Sequence, residues 1–178
     1  MVIWITGISG AGKSTIATAL VDRYKKVLPN LINIDGDAIR NLYGNDLGYE
    51  EAHRIIQIKR LQKLCLFLEN QNQIIIASAL YSNPSLMKWN RENFSDYCEI
   101  YLNISIELVK KRDPKGIYKK YEIGKEKNIV GIDVPWHEPE KSNLVINIDE
   151  KKSVNNITDL ISKNVLLFKN TKIIQSEN

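Results

Sequence analysis

The residues best suited to do chemistry begin near the N-terminus, in a phosphate-binding loop. Gly7 to Ser14 is GISGAGKS, which satisfies the spacing G-x-x-x-x-G-K-[ST]. Its glycines allow the tight turn that points successive backbone N–H groups at a polyphosphate. Lys13 adds a positive charge for the β- and γ-phosphates, and Ser14 offers its hydroxyl to Mg²⁺. The loop therefore predicts a site for a nucleoside triphosphate with Mg²⁺.

Two further segments carry charge that could serve phosphate chemistry. Asp35 and Asp37 directly follow an apolar run, and carboxylates at the end of a parallel strand project into the crevice where α/β sheets bind ligands. An ordinary Asp-Gly-Asp turn is the alternative, but the P-loop upstream favours the functional interpretation. The basic segment from Lys110 to Lys127 is either a solvated helix face or a lid that brings cations over transferring phosphates.

These residues need strands and helices in alternation to hold them. Apolar β-branched runs predict buried strands, and apolar residues spaced by three and four predict helices. The predicted strands span 2–5, 31–34, 74–77, 98–102 and 144–147, and the predicted helices are one after the P-loop and those at 50–70, 85–94, 104–112 and 154–168. The alternation predicts an α/β fold, a doubly wound parallel sheet of roughly five strands flanked by helices.

Helical spacing also predicts which side chains are buried. In the helix at 50–70, His53, Arg54 and Gln57 fall on other faces than the buried one, where for Arg54 and Gln57 solvation is the simplest explanation. The buried face is predicted to carry Ile55, Ile58, Leu61, Leu64, Cys65 and Leu68. The buried face of the last helix is predicted to carry Ile157, Leu160, Ile161, Val165 and Leu166.

Length, charge and apolar content bound the class of protein. The 178 residues predict one domain at 1–169 and a polar, frayed tail at 170–178. A net charge of +4 suits a small anionic partner and falls short of a nucleic-acid binder. No apolar run approaches a membrane span, and a strand at the very N-terminus leaves no room for a signal peptide. With Cys65 and Cys98 expected as buried thiols, these features predict a cytoplasmic protein with no membrane partner.

Five segments together resemble the adenylylsulfate (APS) kinase family. They are WITGISGAGKST at 4–15, INIDGDAIR at 32–40, DLGY with HRIIQIKR within 46–60, EIYLNISIELVKKRDPKGIYKK at 99–120 and VGIDVPWHEPE at 130–140. The resemblance implies a P-loop kinase fold with a small basic lid. It further implies transfer of the γ-phosphate of ATP, with Mg²⁺, to the 3′-hydroxyl of a small-molecule nucleotide, by an enzyme that forms a homodimer.

The resemblance also implies roles for individual residues. Lys13, Asp35 and Asp37 would be catalytic, with Asp35 orienting and deprotonating the acceptor hydroxyl and Asp37 supporting the metal or the substrate. The implied ATP site comprises Ser9, Gly10, Ala11, Gly12, Lys13, Ser14 and Thr15, with Arg112 beside the adenine. Ser14 would also bind Mg²⁺. In the implied acceptor site, Arg40 and Arg54 would bind phosphate-type groups, Lys115 would reach the phosphates, and Tyr49 would pack against the base. Gln57 stands where the family usually has Asn. The other implied acceptor residues are Asp37, Leu80, Tyr81, Ile129 and Ile132.

Two departures from the family pattern fall on the acceptor side. Where the family typically has Phe-Ile-Ser-Pro-Tyr-Arg, this chain has Ala79 to Pro84, and Ile129 replaces one aromatic of the clamp on the acceptor base. Losing one stacking ring removes on the order of 1 kcal/mol, and Tyr81 in place of Ser should narrow the pocket. We therefore expect a smaller base than adenine, in a divergent branch that resembles cytidine diphosphoramidate (CDP-amidate) kinases of bacterial capsule biosynthesis. APS remains the alternative acceptor.

Two interpretations of another class stay open. The chain could be a non-catalytic P-loop protein that binds nucleotide for regulation, or an inactive partner domain of this family. No N-K-x-D signature for guanine is present to support a regulatory switch. The retention of Lys13, Ser14 and Asp35 together favours an active kinase.

Overall fold

The fold is an alternation of strands and helices, described here over residues 1–171 of a computed structural model. The strands are β1 (Val2–Thr6), β2 (Leu31–Asp35), β3 (Ile74–Ala79), β4 (Tyr97–Asn103) and β5 (Leu144–Asn147). The helices are α1 (Lys13–Tyr24), α2 (Gly36–Leu42), α3 (Glu51–Glu69), α4 (Pro84–Asn93), α5 (Ile106–Arg112), α6 (Ile117–Glu122), α7 (Val154–Asn164) and α8 (Leu166–Asn170). The sheet order is β2-β3-β1-β4-β5, and every pairing is parallel. The predicted doubly wound α/β fold is confirmed.

Two apolar cores lie on the two faces of the sheet. One holds Ile3 and Ile5 of β1 with buried residues of α1, α5, α7 and α8. The other holds Val2 and Trp4 with buried residues of α2, α3 and α4. Because the side chains of a strand alternate between its faces, β1 contributes to both cores. The strand order places β1 at the centre of the sheet. The P-loop, which follows the carboxyl end of β1, therefore lies at the middle of the row of strand carboxyl ends.

A buried carboxylate joins the second core to the surface of α4. Glu99 in β4 is 0% exposed and accepts hydrogen bonds from Arg91 at 2.8 Å, Tyr97 at 2.9 Å and Ser142 at 2.9 Å. A buried charge needs such partners to offset its lost hydration. This cluster fixes α4 and the segment before β5 against the sheet.

The boundaries of most elements agree with the sequence predictions to within two residues, but several features differ. Helices α2 and α6 were not predicted, and the single helix predicted at 154–168 is two helices, because Val165 has an extended backbone with φ −84° and ψ 118°. Leu166, which follows this break, and Leu160, which lies in α7 off the face formed by Ile157, Thr158 and Ile161, were both predicted to be buried but are exposed. On α3, Gln57 was placed away from the buried face but is buried.

The remaining general predictions have simpler outcomes. Cys65 is a buried free thiol and Cys98 a half-buried one. None of the helices among residues 1–171 has the length and apolar content to cross a membrane. Asn170 ends α8, and residues 172–178 of the predicted tail lie outside the described residues.

Candidate active site

The P-loop joins β1 to α1 and encloses the ammonium group of Lys13. Lys13 Nζ donates hydrogen bonds to the carbonyls of Gly7 at 2.8 Å and Ile8 at 3.0 Å. A Cβ at Gly7 would lie 2.8 Å from the carbonyl oxygen of Leu102, so only glycine fits there. Burial lowers the pKa of Lys13 to about 8 against the opposing charge of Asp37, and the positive charge of Lys115 adds to the decrease. The loop thus holds a cation where a polyphosphate would bind.

Asp35 connects the P-loop to the end of β2. Its Oδ2 accepts a hydrogen bond from Ser14 Oγ at 2.5 Å. Its Oδ1 caps α2, accepting from the backbone N–H groups of Asp37 at 2.9 Å and Ala38 at 3.3 Å. Both carboxylate oxygens are therefore engaged, one by the helix and one by the P-loop hydroxyl.

Asp37 pairs with the lysine of the basic segment. Lys115 Nζ lies 2.5 Å from Asp37 Oδ2. Burial alone would raise the pKa of Asp37, but the hydrogen bond and charge of Lys115 hold it below its usual range. Burial alone would lower the pKa of Lys115, and Asp37 raises it instead. Both groups are charged at neutral pH and meet above the ends of β2 and the P-loop.

A tyrosine ties the basic segment to the P-loop. Tyr118, on the first turn of α6, is 1% exposed, and its hydroxyl donates to the carbonyl of Ser9 at 2.9 Å. Asp113 accepts from the backbone N–H groups of Tyr118 at 3.3 Å and Lys119 at 3.0 Å, which closes the turn that carries Lys115. Elsewhere in this basic segment, Arg112 and Lys111 face away, toward the carbonyl of Asp149 and the carboxylate of Glu150.

Two arginines and one tyrosine form the opposite end of the site. The guanidinium carbons of Arg40 and Arg54 lie 4.6 Å and 5.6 Å from the centroid of the Tyr49 ring. Arg40 donates to the carbonyls of Leu47 at 2.7 Å and Gly48 at 3.0 Å. Burial and the charge of Arg40 lower the pKa of Arg54. An anion bound between the two guanidinium groups would relieve their mutual repulsion.

A short turn closes the site above Tyr49 and Arg54. Arg54 donates to the carbonyl of Asn128 at 2.6 Å, and the carboxylate of Asp133 accepts from the backbone N–H groups of Asn128 and Ile129 at 2.8 Å and 2.5 Å. Ile129 is 4% exposed. The Gly131-Ile132-Asp133 segment thus holds the backbone of Ile129 in place, and Ile132 itself packs on the first core.

Residues at the end of β3 and on α3 line the same space. Tyr81 is 2% exposed, and its hydroxyl donates to Glu51 at the start of α3. Burial, with this bond to Glu51, raises the pKa of Tyr81 to about 12. Gln57 donates from Nε2 to the carbonyl of Gly36 at 3.0 Å. Tyr81 therefore contributes its ring as a wall of the site and keeps its hydroxyl engaged.

Most of the predicted site residues line one continuous cavity of about 640 Å³. The predicted site residues that it brings together are Ser9, Gly10, Gly12, Lys13, Ser14, Thr15, Asp35, Asp37, Arg40, Tyr49, Arg54, Gln57, Leu80, Tyr81, Lys115 and Ile129. Three others do not line it, namely Ala11, Arg112 and Ile132. Arg112 lies by a separate groove that includes Ser105, Leu108 and Asp149.

Sequence reasoning missed several lining residues. Ser78, Glu126, Lys127 and Asn128 face the cavity but were not among the predicted site residues. Lys127 belongs to the basic segment, so its charge was a usable signal. Ser78 lies near the end of an apolar strand, and its place at the cavity became evident only from the strand register, which pairs it with Asp35.

The residues present are suited to Mg²⁺. The hydroxyl of Ser14 and the carboxylate of Asp35 lie together at the cavity, and Mg²⁺ prefers such hard oxygen ligands supplemented by phosphate oxygens. Among the described residues, the hydroxyl of Ser78 is buried without a hydrogen-bond partner and lines the same cavity.

Comparison with known proteins gives consistent matches over most of the chain. A family model for adenylylsulphate kinase matches residues 1–147. The adenylyl-sulfate kinase of Clostridium acetobutylicum is 34% identical over 172 residues, covering 93% of this chain and 85% of that protein. The cytidine diphosphoramidate kinase of Campylobacter jejuni is 32% identical over 166 residues, covering 93% of this chain and 96% of that protein. The APS kinase structure from Mycobacterium tuberculosis, in complex with AMPPNP and APS, superposes with a TM-score of 0.82 at 25% identity, covering 90% and 94% of the two chains.

Proposed function

The chain belongs to the adenylylsulphate kinase family, and from this premise we propose that it transfers the γ-phosphate of ATP to the 3′-hydroxyl of a cytidine diphosphoramidate-type nucleotide. The observation that carries the transfer reaction is the single cavity that runs from the P-loop, past Asp35 and Asp37, to the arginine pair at Tyr49. Such a cavity can hold a donor triphosphate and an acceptor nucleotide end to end.

The catalytic residues would act mainly by alignment and charge. Phosphoryl transfer needs little covalent chemistry from the protein, and cations that stabilise the equatorial oxygens supply much of the acceleration. Lys13 would hold the β- and γ-phosphates, and Lys115 would reach the transferring phosphoryl group from the acceptor side. When bound at Ser14 and Asp35, Mg²⁺ would neutralise charge on the β- and γ-phosphate oxygens.

The contacts of the two carboxylates favour a division of labour different from the one implied by resemblance. Asp35 is engaged by Ser14 and by the N-terminus of α2, so it supports the metal side. The side chain of Asp37 meets only Lys115 among the described residues, so its carboxylate is the better placed to orient the acceptor 3′-hydroxyl and receive its proton.

The residues at the acceptor end of the cavity favour the binding of a base smaller than adenine. Tyr49, which is half exposed, offers one aromatic face, while Ile129 and Leu80 offer aliphatic surface. The similarity to the Campylobacter protein covers nearly all of that kinase, in accord with this assignment to capsule phosphoramidate biosynthesis. The similarity to clostridial adenylyl-sulfate kinase is of the same strength and supports APS as the second candidate.

A direct comparison of acceptors tests the proposal. ADP release would be followed with CDP-amidate and APS side by side, each with ATP and Mg²⁺. We expect kcat/KM to be about fivefold higher for CDP-amidate, because the loss of one stacking ring weakens binding of the adenine of APS by about 1 kcal/mol. A higher value with APS would establish the second candidate instead. Turnover with neither, alongside tight ATP binding, would favour the non-catalytic P-loop protein.

The assembly and location predicted from the sequence remain predictions. We propose a homodimer, to be checked by light scattering of the full chain, in which a monomer at micromolar concentration would contradict it. A cytoplasmic location accords with the use of ATP, and fractionation of the native host would test it.

A further inference from the structure

Two buried polar atoms that line the cavity have no hydrogen-bond partner among residues 1–171, the hydroxyl of Ser78 and the side-chain oxygen of Gln57, and the second is the more informative because its amide orientation is fixed. The side chain of Gln57 is 6% exposed and lines the cavity. Its Nε2 donates to the carbonyl of Gly36 at 3.0 Å. Its Oε1 is buried and has no hydrogen-bond partner among residues 1–171.

The bond to Gly36 fixes which end of the amide is free. A backbone carbonyl can only accept a hydrogen bond, so the amide must direct its NH₂ group at Gly36. Oε1 is then left as an acceptor with no donor in the described part of the protein. Leaving a buried acceptor unpaired is unfavourable, and such an atom in a ligand cavity is explained when the ligand brings the donor.

The position of Gln57 indicates which part of the acceptor it meets. Arg54 and Gln57 are three residues apart on α3 and therefore share one helix face. Arg54 and Arg40 are the cations proposed to hold the 5′-phosphate groups of the acceptor. The terminal group of a 5′-diphosphate bound there would face the free oxygen of Gln57.

We infer that Gln57 Oε1 accepts a hydrogen bond from the terminal P–NH₂ group of the acceptor, and so selects a phosphoramidate over a terminus made only of oxygen. This inference rests on the proposed function. Ionised sulfate and phosphate oxygens are acceptors only, and they would face the amide oxygen without a hydrogen between them. A phosphoramidate nitrogen carries the hydrogen that satisfies Oε1.

The test compares two cytidine nucleotides that differ in one atom group. CDP-amidate carries the terminal nitrogen, and CDP carries oxygen at the same place, so base, ribose and α-phosphate contacts are matched. In the unmodified protein we expect kcat/KM for CDP-amidate to exceed that for CDP by about tenfold or more, the size of one buried hydrogen bond. In Gln57→Met, which keeps the side-chain length, we expect this ratio to fall to within about threefold of unity.

A second glutamine on the same helix supplies the matched control. Gln62 is 2% exposed and donates to the carbonyl of Leu86 at 2.9 Å and to Asn90 Oδ1 at 2.7 Å. It does not line the cavity. Gln62→Met should lower the melting temperature and leave the CDP-amidate to CDP ratio unchanged, which separates loss of packing from loss of selection.

Each outcome decides one statement. A ratio near unity in the unmodified protein, or a ratio that Gln57→Met leaves unchanged, overturns the inference while cytidine nucleotides remain the acceptors. If removing the 2′-hydroxyl from CDP-amidate lowers kcat/KM about tenfold in the unmodified protein but not in Gln57→Met, the partner of Oε1 is the 2′-hydroxyl and the inference is wrong. If the protein turns over APS but does not turn over any of the cytidine nucleotides, the proposed function itself is overturned. If Gln57→Met fails to fold, the inference can still be refuted, because a CDP-amidate to CDP ratio near unity in the unmodified protein is enough to overturn it.

Discussion

The pKa of Lys13 predicts how ATP affinity depends on pH. Its ammonium group is enclosed by the carbonyls of Gly7 and Ile8, and its pKa is lowered to about 8. Only the protonated form carries the charge that the β- and γ-phosphates need. Since the folded pKa lies within an accessible range, the unliganded protein loses this charge between neutral pH and pH 9.

The size of the effect follows from the titration. With a pKa of about 8, about nine-tenths of Lys13 is protonated at pH 7 and about one-tenth at pH 9. Apparent affinity for ATP should therefore fall about tenfold between these values, or about 1.4 kcal/mol. The phosphate groups have lost their last proton by about pH 7, so the decrease above that pH belongs to the protein.

Calorimetric titration with a non-hydrolysable ATP analogue, at constant ionic strength and without acceptor, would measure this. Lys13→Met should bind weakly with no break in the pH profile. Lys115→Met removes a like charge that lowers the pKa of Lys13, so the break should move to higher pH. A constant affinity from pH 7 to 9.5 in the unmodified protein would refute the reasoning, and so would the same break in Lys13→Met.

Two other sites give predictions. Asp37→Asn should reduce kcat by about a hundredfold or more with little change in the Mg²⁺ requirement, while Asp35→Asn should raise the Mg²⁺ concentration needed for half-maximal rate; steady-state rates over a Mg²⁺ series distinguish them, and the reverse pattern would exchange the two roles. Arg91→Met leaves the buried carboxylate of Glu99 without its cation and should lower the free energy of unfolding by about 3 kcal/mol in urea denaturation, whereas a change under about 1 kcal/mol would show that Tyr97 and Ser142 suffice.

Features tied to strand ends were predictable from the sequence. The P-loop, Asp35 and Asp37 follow apolar runs, and parallel strands bring their carboxyl ends to one edge whatever the loops do. Helix α2 was missed although Asp35 is a strong N-cap, because its seven residues are too few for a periodic signal. Asp35 itself carried the capping signal, but it was interpreted as a site residue and not as the start of a helix.

Features set by tertiary contacts were not predictable in the same way. Polar Gln57 is buried because Gly36 from another helix accepts its hydrogen bond, and periodicity counts only apolar residues. Leu166 is exposed because a new helix begins after Val165, and no proline or glycine in the sequence marks that break. Arg112 contacts Asp149 through a backbone carbonyl, a partner that spacing could not reveal.

The hydrogen bond from Tyr118 to the carbonyl of Ser9 connects the P-loop to the basic segment on the other side of the cavity. Any adjustment of the P-loop around a triphosphate passes through this bond to the turn that carries Lys115, and Lys115 already holds Asp37. If this linkage couples the two proposed sites, binding at one changes the free energy of binding at the other by the same amount in both directions. We expect ATP and the acceptor to bind cooperatively, with a coupling that shrinks in Tyr118→Phe while each separate affinity is kept.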